Sequence, residues 1–134
     1  MQALKPLDFA YLVAQDICAI CDIDACATPI PENLGDALPL AVVYNVGGSR
    51  VDLTVDRAAL SVDVYAATPA DAMSWAAVCC AACAAFPDYS GGAVQWYQCD
   101  VNTLPYDNPD PRHPTIPRVT FVCDLYAHPA LVEF

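Results

Sequence analysis

VGGSRVDLTVDRAALSVDVYAATPADA, Val46–Ala72, is the stretch on which the fold class turns. Gly47–Gly48 closes a short apolar run, Leu40–Val46, which reads as a strand buried on both faces and ended by a glycine turn. Val51, Leu53 and Val55 then alternate with Asp52, Thr54 and Asp56, and Leu60, Val62 and Val64 with Ser61, Asp63 and Tyr65. That period of two predicts two half-buried strand segments meeting at a bend near Arg57–Ala58. Thr68–Pro69–Ala70–Asp71 carries a helix start: a hydroxyl N-cap, proline in the first turn and a carboxylate at its third position. The helix runs to about Phe86 and stops before Pro87. Its body, AMSWAAVCCAACAAF, is apolar nearly all round, so it must be covered on more than one side.

On the N-terminal side, Pro6–Cys21 places Phe9, Leu12, Val13, Ile17 and Ile20 on one helical stripe, with Asp8, Gln15 and Asp16 off it. Asp22–Pro39 gathers acids and prolines without a sustained period and reads as a surface connection. On the C-terminal side, Ala93–Val101 and Arg118–Ala127 alternate and are rich in aromatic residues, as strands are. Between them, Asn102–Pro117 holds Pro105, Pro109, Pro111, Pro114 and Pro117, which predicts an extended proline-rich arm. The expected architecture is α+β: a mostly antiparallel sheet of four to five strands, two helices packed on it and a long proline-rich loop. One domain spans residues 1–134, with its sheet and helix core over 40–101. The arm is expected to be dispensable for that fold.

With 57% hydrophobic and only 16% charged residues, a lone chain of 134 residues has little polar surface, which predicts burial against other subunits. Sixteen acids face five bases, a net charge of −11 that repels a phosphate backbone and argues against nucleic-acid binding. No apolar run approaches the roughly 20 residues of a membrane span, and the N-terminus lacks the pattern of a secretory signal. A soluble protein made in the cytoplasm, with no membrane partner, is expected.

Signals for chemistry are weak. Cys18–Cys21 and Cys80–Cys83 are two CxxC pairs, but both lie in helical periodicity among alanines, unlike the turns of a zinc knuckle or the helix-opening pair of a redox enzyme. They read as small, reduced, buried apolar groups. His113 and His128 adjoin prolines and have no acid at a convincing catalytic spacing. Asp22, Asp24, Asp107 and Asp110 lack a calcium-loop pattern, and Gly47–Gly48 and Gly91–Gly92 lack the lysine and hydroxyl of a phosphate loop. No cofactor is expected.

The order of elements resembles the tail-terminator, or tail-completion, proteins of long-tailed bacteriophages. The resemblance covers Pro39–Pro129 and rests on PLAVVYNVGG (39–48), on TVDRAALSVDVYAATPADA (54–72) with its Asp56–Arg57 turn, and on PRVTFVCDLYAHP (117–129) after a long loop. It implies a structural protein of the virion, without an active site, that assembles in the bacterial host cytoplasm at the junction of tail and neck. There a homo-hexameric ring would cap the tail tube protein, end tail polymerisation and join the head–tail connector protein, while DNA passes through without specific binding. Leu104, Tyr106, Arg112 and Ile116 in the arm, with Asp56 and Arg57, are the expected partner contacts. Asp52, Asp56 and Asp63 are the expected acids of the lumen. The alternatives are a neck or head–tail connector protein and, in a different class, a small thiol- or zinc-dependent enzyme.

Overall fold

The computed structural model describes residues 1–134. In chain order the elements are strand β1 (Gln2–Lys5), helix α1 (Phe9–Cys21), strands β2 (Asp24–Ala27), β3 (Leu40–Arg50) and β4 (Asp56–Tyr65), helix α2 (Pro69–Ala85), and strands β5 (Trp96–Asp107), β6 (Arg118–Ala127) and β7 (Ala130–Glu133). Five strands form one sheet in the order β2-β3-β4-β6-β5, antiparallel except for the β2–β3 pair. β1 and β7 close a separate two-stranded antiparallel ribbon that brings the chain termini together. The α+β class, the antiparallel character and the two packed helices are as the sequence predicts.

Both helices lie on one face of the sheet. Val62 and Val64 of β4 and Phe121, Cys123 and Leu125 of β6 point into that layer, against Val13 and Ile17 of α1 and Ala76, Cys79 and Cys83 of α2. Alanine and cysteine on α2 let the helix sit close to the sheet, where larger side chains would hold it off. Thr68 caps α2 by accepting from the Asp71 N–H at 3.1 Å. Trp96 of β5 anchors the far end: it is buried, stacks on Phe86 at 5.8 Å between ring centroids, and donates its indole N–H to Asp16 of α1 at 2.7 Å. Asp16, expected off the apolar stripe, is therefore buried, because the indole supplies the partner that a buried carboxylate needs. Ile20, expected on that stripe, is instead 41% exposed.

The strand boundaries differ from expectation in a consistent way. Gly47–Gly48 is not a turn: β3 runs through it to Arg50, with a bulge between Asn45 and Gly47. Gly47 takes φ 130°, and a Cβ on Gly48 would lie 2.0 Å from the Arg57 carbonyl oxygen of the paired strand. The chain reverses instead at residues 51–55, where Val51 N–H bonds Val55 O at 3.0 Å. Asp56–Arg57 begins β4 rather than forming a bend or turn. The alternation of Val51 and Leu53 with polar neighbours imitates a strand, yet Leu53 is 85% exposed at the hairpin tip.

The 22–39 connection contains β2, paired in parallel with β3, and buries Leu34 with Leu40, Val42 and Tyr65 in a small second core on the other face of the sheet. The predicted arm is shorter and more ordered than expected. Residues 102–107 continue β5, with Pro105 at a break in the β5–β6 register on the edge of the sheet, where a missing N–H costs least. Only residues 108–117 form a loop, and it is pinned to the sheet.

Pro69–Asp88, α2 and the short 3₁₀ turn after it, is long and apolar enough to cross a membrane by length and composition, with mean hydropathy 1.3, which corrects the expectation that no run approaches that length. One face of this segment lies on the sheet, as in the core helix of a globular domain.

Candidate functional site

The second face of the sheet carries a buried polar network under the 108–117 loop. Arg118, the first residue of β6, places Nη1 3.5 Å from Asp63 of β4 and 3.8 Å from Asp110 of the loop. Its guanidinium also donates to the carbonyls of Asn108 and Pro109. Asp110 accepts from the Tyr65 hydroxyl at 2.9 Å and the Arg112 N–H at 3.0 Å, and its Oδ2 is 3.0 Å from His113 Nδ1. Thr120 donates to Asp63 at 2.6 Å and accepts from the Asn108 amide at 3.1 Å.

Burial would raise the Asp110 carboxyl, but the bonds from His113, the Arg112 backbone and Tyr65, with the Arg118 charge, outweigh it and hold the group at about 2. Asp63 moves the other way. Burial pushes it above the ordinary carboxylate range, and the Thr120 hydroxyl and Arg118 only partly offset this. Burial likewise pushes the Tyr65 phenol up, so it remains a donor. Arg118, the Tyr65 hydroxyl, the Arg112 N–H and the Thr120 hydroxyl each meet a carboxylate or a carbonyl, and together they hold the 108–117 loop to the sheet.

The expected lumen acids separate accordingly. Asp52 is exposed at the hairpin tip. Asp56 is buried and bound twice by Arg50, at 2.6 and 3.1 Å, and Asp63 is buried as described. Asp56 and Asp63, expected as exposed acids, are each covered and paired with an arginine, so neither carboxylate faces solvent.

Of the expected contacts, Leu104 and Tyr106 are 72% and 42% exposed on the edge strand β5, and Arg112 is exposed on the loop. Ile116 packs against the second core of its own chain, and Arg57 pairs with Asp124 across β4 and β6 at 3.2 Å. These two are committed within the chain, because each already fills a partner's contact there. The structure does not bring the six expected contact residues together on one surface.

The helix expected to need cover on more than one side, α2, keeps one face outward. Met73 and Val78 are 37% and 47% exposed there, alongside exposed Ala77, Ala81 and Ala84, with no charged residue between Asp71 and Asp88. The signal was present in the all-round apolar composition of the helix. What sequence could not supply was which side the sheet covers.

All eight cysteines are free thiols, and no group of three or more His, Cys, Asp or Glu side chains is placed to hold a metal ion. The two CxxC pairs point to separate surroundings: Cys80 and Cys83 are buried against the sheet, while Cys18 is exposed on α1. Cys83 of α2 and Cys123 of β6 lie in the core between helix and sheet, with Cys99 of β5 packed against it. The neighbouring thiols and burial push Cys99 and Cys123 up.

Three of the clefts on the surface are the best formed. One of about 470 Å³ lies between the N-terminal segment and the glycine-bearing end of β3, one of about 410 Å³ beside the Asp63–Arg118 network, and one of about 450 Å³ between α1 and β2. Only the third is mainly apolar, lined by Tyr11, Ala14, Cys18 and Ala25–Ala27 with neighbours on α1. No protein-family model and no curated protein sequence matches the chain.

Proposed function

We propose that the protein is a ring-forming structural protein of a phage tail, a terminator that caps the tail tube and joins it to the head connector. The observation that carries this reading is the outward face of α2, a surface of alanine, valine and methionine, with Ser74 the one polar side chain among them, that the chain itself leaves uncovered. Burying an exposed apolar side chain is worth roughly 25 cal/mol per Å², and a low-charge chain has few ways to keep such a face solvated. A second exposed apolar set, Val46 and Leu53 on the β3–β4 hairpin, lies on a different part of the surface. Two unlike contact patches on one chain favour head-to-tail contacts, which close into rings when the rotation permits.

The α+β architecture agrees with the resemblance read from Pro39–Pro129, and the reading assigns no catalytic step, metal or cofactor to the chain. Its partners would be further copies of itself in a hexameric ring, with the tail tube protein and the head–tail connector protein at its two faces. The exposed acids, Asp52 among them, would discourage DNA from adhering as it passes. The assembly would form in the host cytoplasm and remain at the tail–neck junction of the virion.

Electron microscopy of the purified protein and of Ala81→Glu, alone and with tail tubes, tests the reading. Ala81 is exposed on the helix, so glutamate there leaves the fold intact by circular dichroism while placing a charge in the contact. Rings in the parent and none in the variant are expected. Single-chain particles under all conditions, or rings unaffected by Ala81→Glu, would overturn it.

A further inference from the structure

We propose that the groove between α1 and β2 is a docking site for an extended, cationic peptide segment of another protein, which adds to the sheet as a strand beside β2. β2 is an edge of the five-stranded sheet, paired with β3 alone, and its four register positions run without a break. No backbone hydrogen bond outside that ladder reaches Asp24–Ala27, so the N–H and C=O groups that point away from β3 have no backbone partner in the chain. The cleft of about 450 Å³ lies along this edge. Ala25, Cys26 and Ala27 all line it. Successive side chains of a strand point to opposite faces, so three consecutive residues share one cleft only where it follows the strand's edge. Facing them are Tyr11, Ala14 and Cys18, spaced by three and four residues and hence on one stripe of α1. Both walls are about 10 Å long, the reach of three residues of strand and of two turns of helix. The groove therefore has the two parts that strand addition uses, a row of free backbone groups and an apolar wall for alternate side chains.

Charge selects the occupant. Asp22 and Asp24 are exposed where β2 begins, and Asp8 is exposed at the start of α1. Lys5 is the only basic side chain before Arg50, against six acids in the same stretch. A segment with apolar residues at alternate positions and lysine or arginine between them meets both the apolar wall and these acids. A second copy of the chain does not offer such a segment. Arg50, Arg57 and Arg118 are ion-paired with Asp56, Asp124 and Asp63, and Lys5 lies in β1, which already pairs with β7. The opposite edge of the sheet is closed to the same use, because the pairing of β5 with β6 shifts register three times and Pro105 removes an N–H. The groove shares no residue with the outward face of α2, and the inference is independent of the tail-assembly reading.

The probe is the peptide KVTVKV, with fluorescein at one end and an amide at the other, titrated with the full chain at low ionic strength and read by fluorescence anisotropy. Saturable binding is expected, weaker by about tenfold or more for EVTVEV and for Cys18→Lys. Cys18 is exposed on α1, so lysine there places a cation in the groove wall while circular dichroism stays that of the parent. Amide hydrogen exchange followed by NMR reads the placement on the parent chain itself: the outward N–H groups of β2 should exchange about tenfold or more slowly in the saturated complex, with β5 unchanged. No saturation up to about 1 mM peptide, equal binding of KVTVKV and EVTVEV, binding unmoved by Cys18→Lys, or protection absent from β2 would each overturn the proposal. Self-association that slows the same β2 amides without peptide would assign the groove to a second copy and overturn it as well.

Discussion

The phenol of Tyr65 donates to the Asp110 carboxylate at 2.9 Å across a separation of 45 residues, and so fastens the proline-rich loop to the end of β4. A loop held in this way belongs to the fold, so its removal disturbs more than a contact with a partner. Tyr65→Phe deletes one hydrogen bond to a charged, buried acceptor and is expected to cost about 2 kcal/mol in urea unfolding, with faster proteolysis between residues 108 and 117. Replacing Leu104–Thr115 by a short glycine–serine link also removes the end of β5 and Asp110 itself, and should destabilise the chain by more than Tyr65→Phe does. An unchanged unfolding midpoint in both variants would show that the loop is not part of the cooperative unit.

Acid stability follows from Asp110. Its folded pKa of about 2 lies below the ordinary value of 3.8, so its ionised form stabilises the fold above the unfolded pKa and that contribution is lost as pH falls through the folded one. The loss falls between about pH 4 and pH 2 and amounts to about 2 kcal/mol. Asp63, raised by burial, has the opposite sign: its protonated form is the better accommodated, so its contribution to stability falls as pH rises above the ordinary carboxylate range. Asp110→Asn should therefore lower stability at neutral pH and flatten the acid limb, as read from unfolding midpoints across that range. A limb as steep as the parent's would assign the acid sensitivity to other carboxylates.

Asp16 and Trp96 join α1 to β5 inside the core. Asp16→Ala leaves the indole N–H buried without its acceptor, and a loss of about 1–3 kcal/mol is expected. Gly92 is close to the same carboxylate, since a Cβ there would lie 2.6 Å from Asp16 Oδ1, so Gly92→Ala should disturb the same bond through this side chain. Tryptophan fluorescence during unfolding reads both changes.

Cys80→Ala combined with Cys83→Ala trims two buried side chains from α2. A cost of about 1–3 kcal/mol, with ring formation retained, is expected if these thiols act only as packing groups. Release of a stoichiometric metal on unfolding of the parent protein would contradict that role.

Much of the fold was legible because the relevant residues carry local signals. Thr68–Pro69 announces α2, and the alternation of Arg118–Ala127 matches β6 residue for residue. The misreadings arose where tertiary pairing overrides local preference. Glycines that look like a turn at 47–48 lie within a bulged strand because β4 continues beside them, and Pro105 is accepted in β5 because that strand is the sheet edge. β1 and β7 are four residues each and hold together only by pairing across the full chain length. For the candidate site, sequence identified a helix with no polar face but not the direction of its uncovered side. It also placed Asp56 and Asp63 at a lumen, because the arginines that cover them come from Arg50 and, through a long loop, Arg118.

The length distribution of tails in an infection depleted of this protein and restored with either the parent chain or Ala81→Glu tests the central claim most directly. The account predicts tails of uniform length joined to heads with the parent chain, and overlong, unstable or unjoined tails without it or with Ala81→Glu. Tails of unchanged length, joined to heads in the depleted infection, would contradict it.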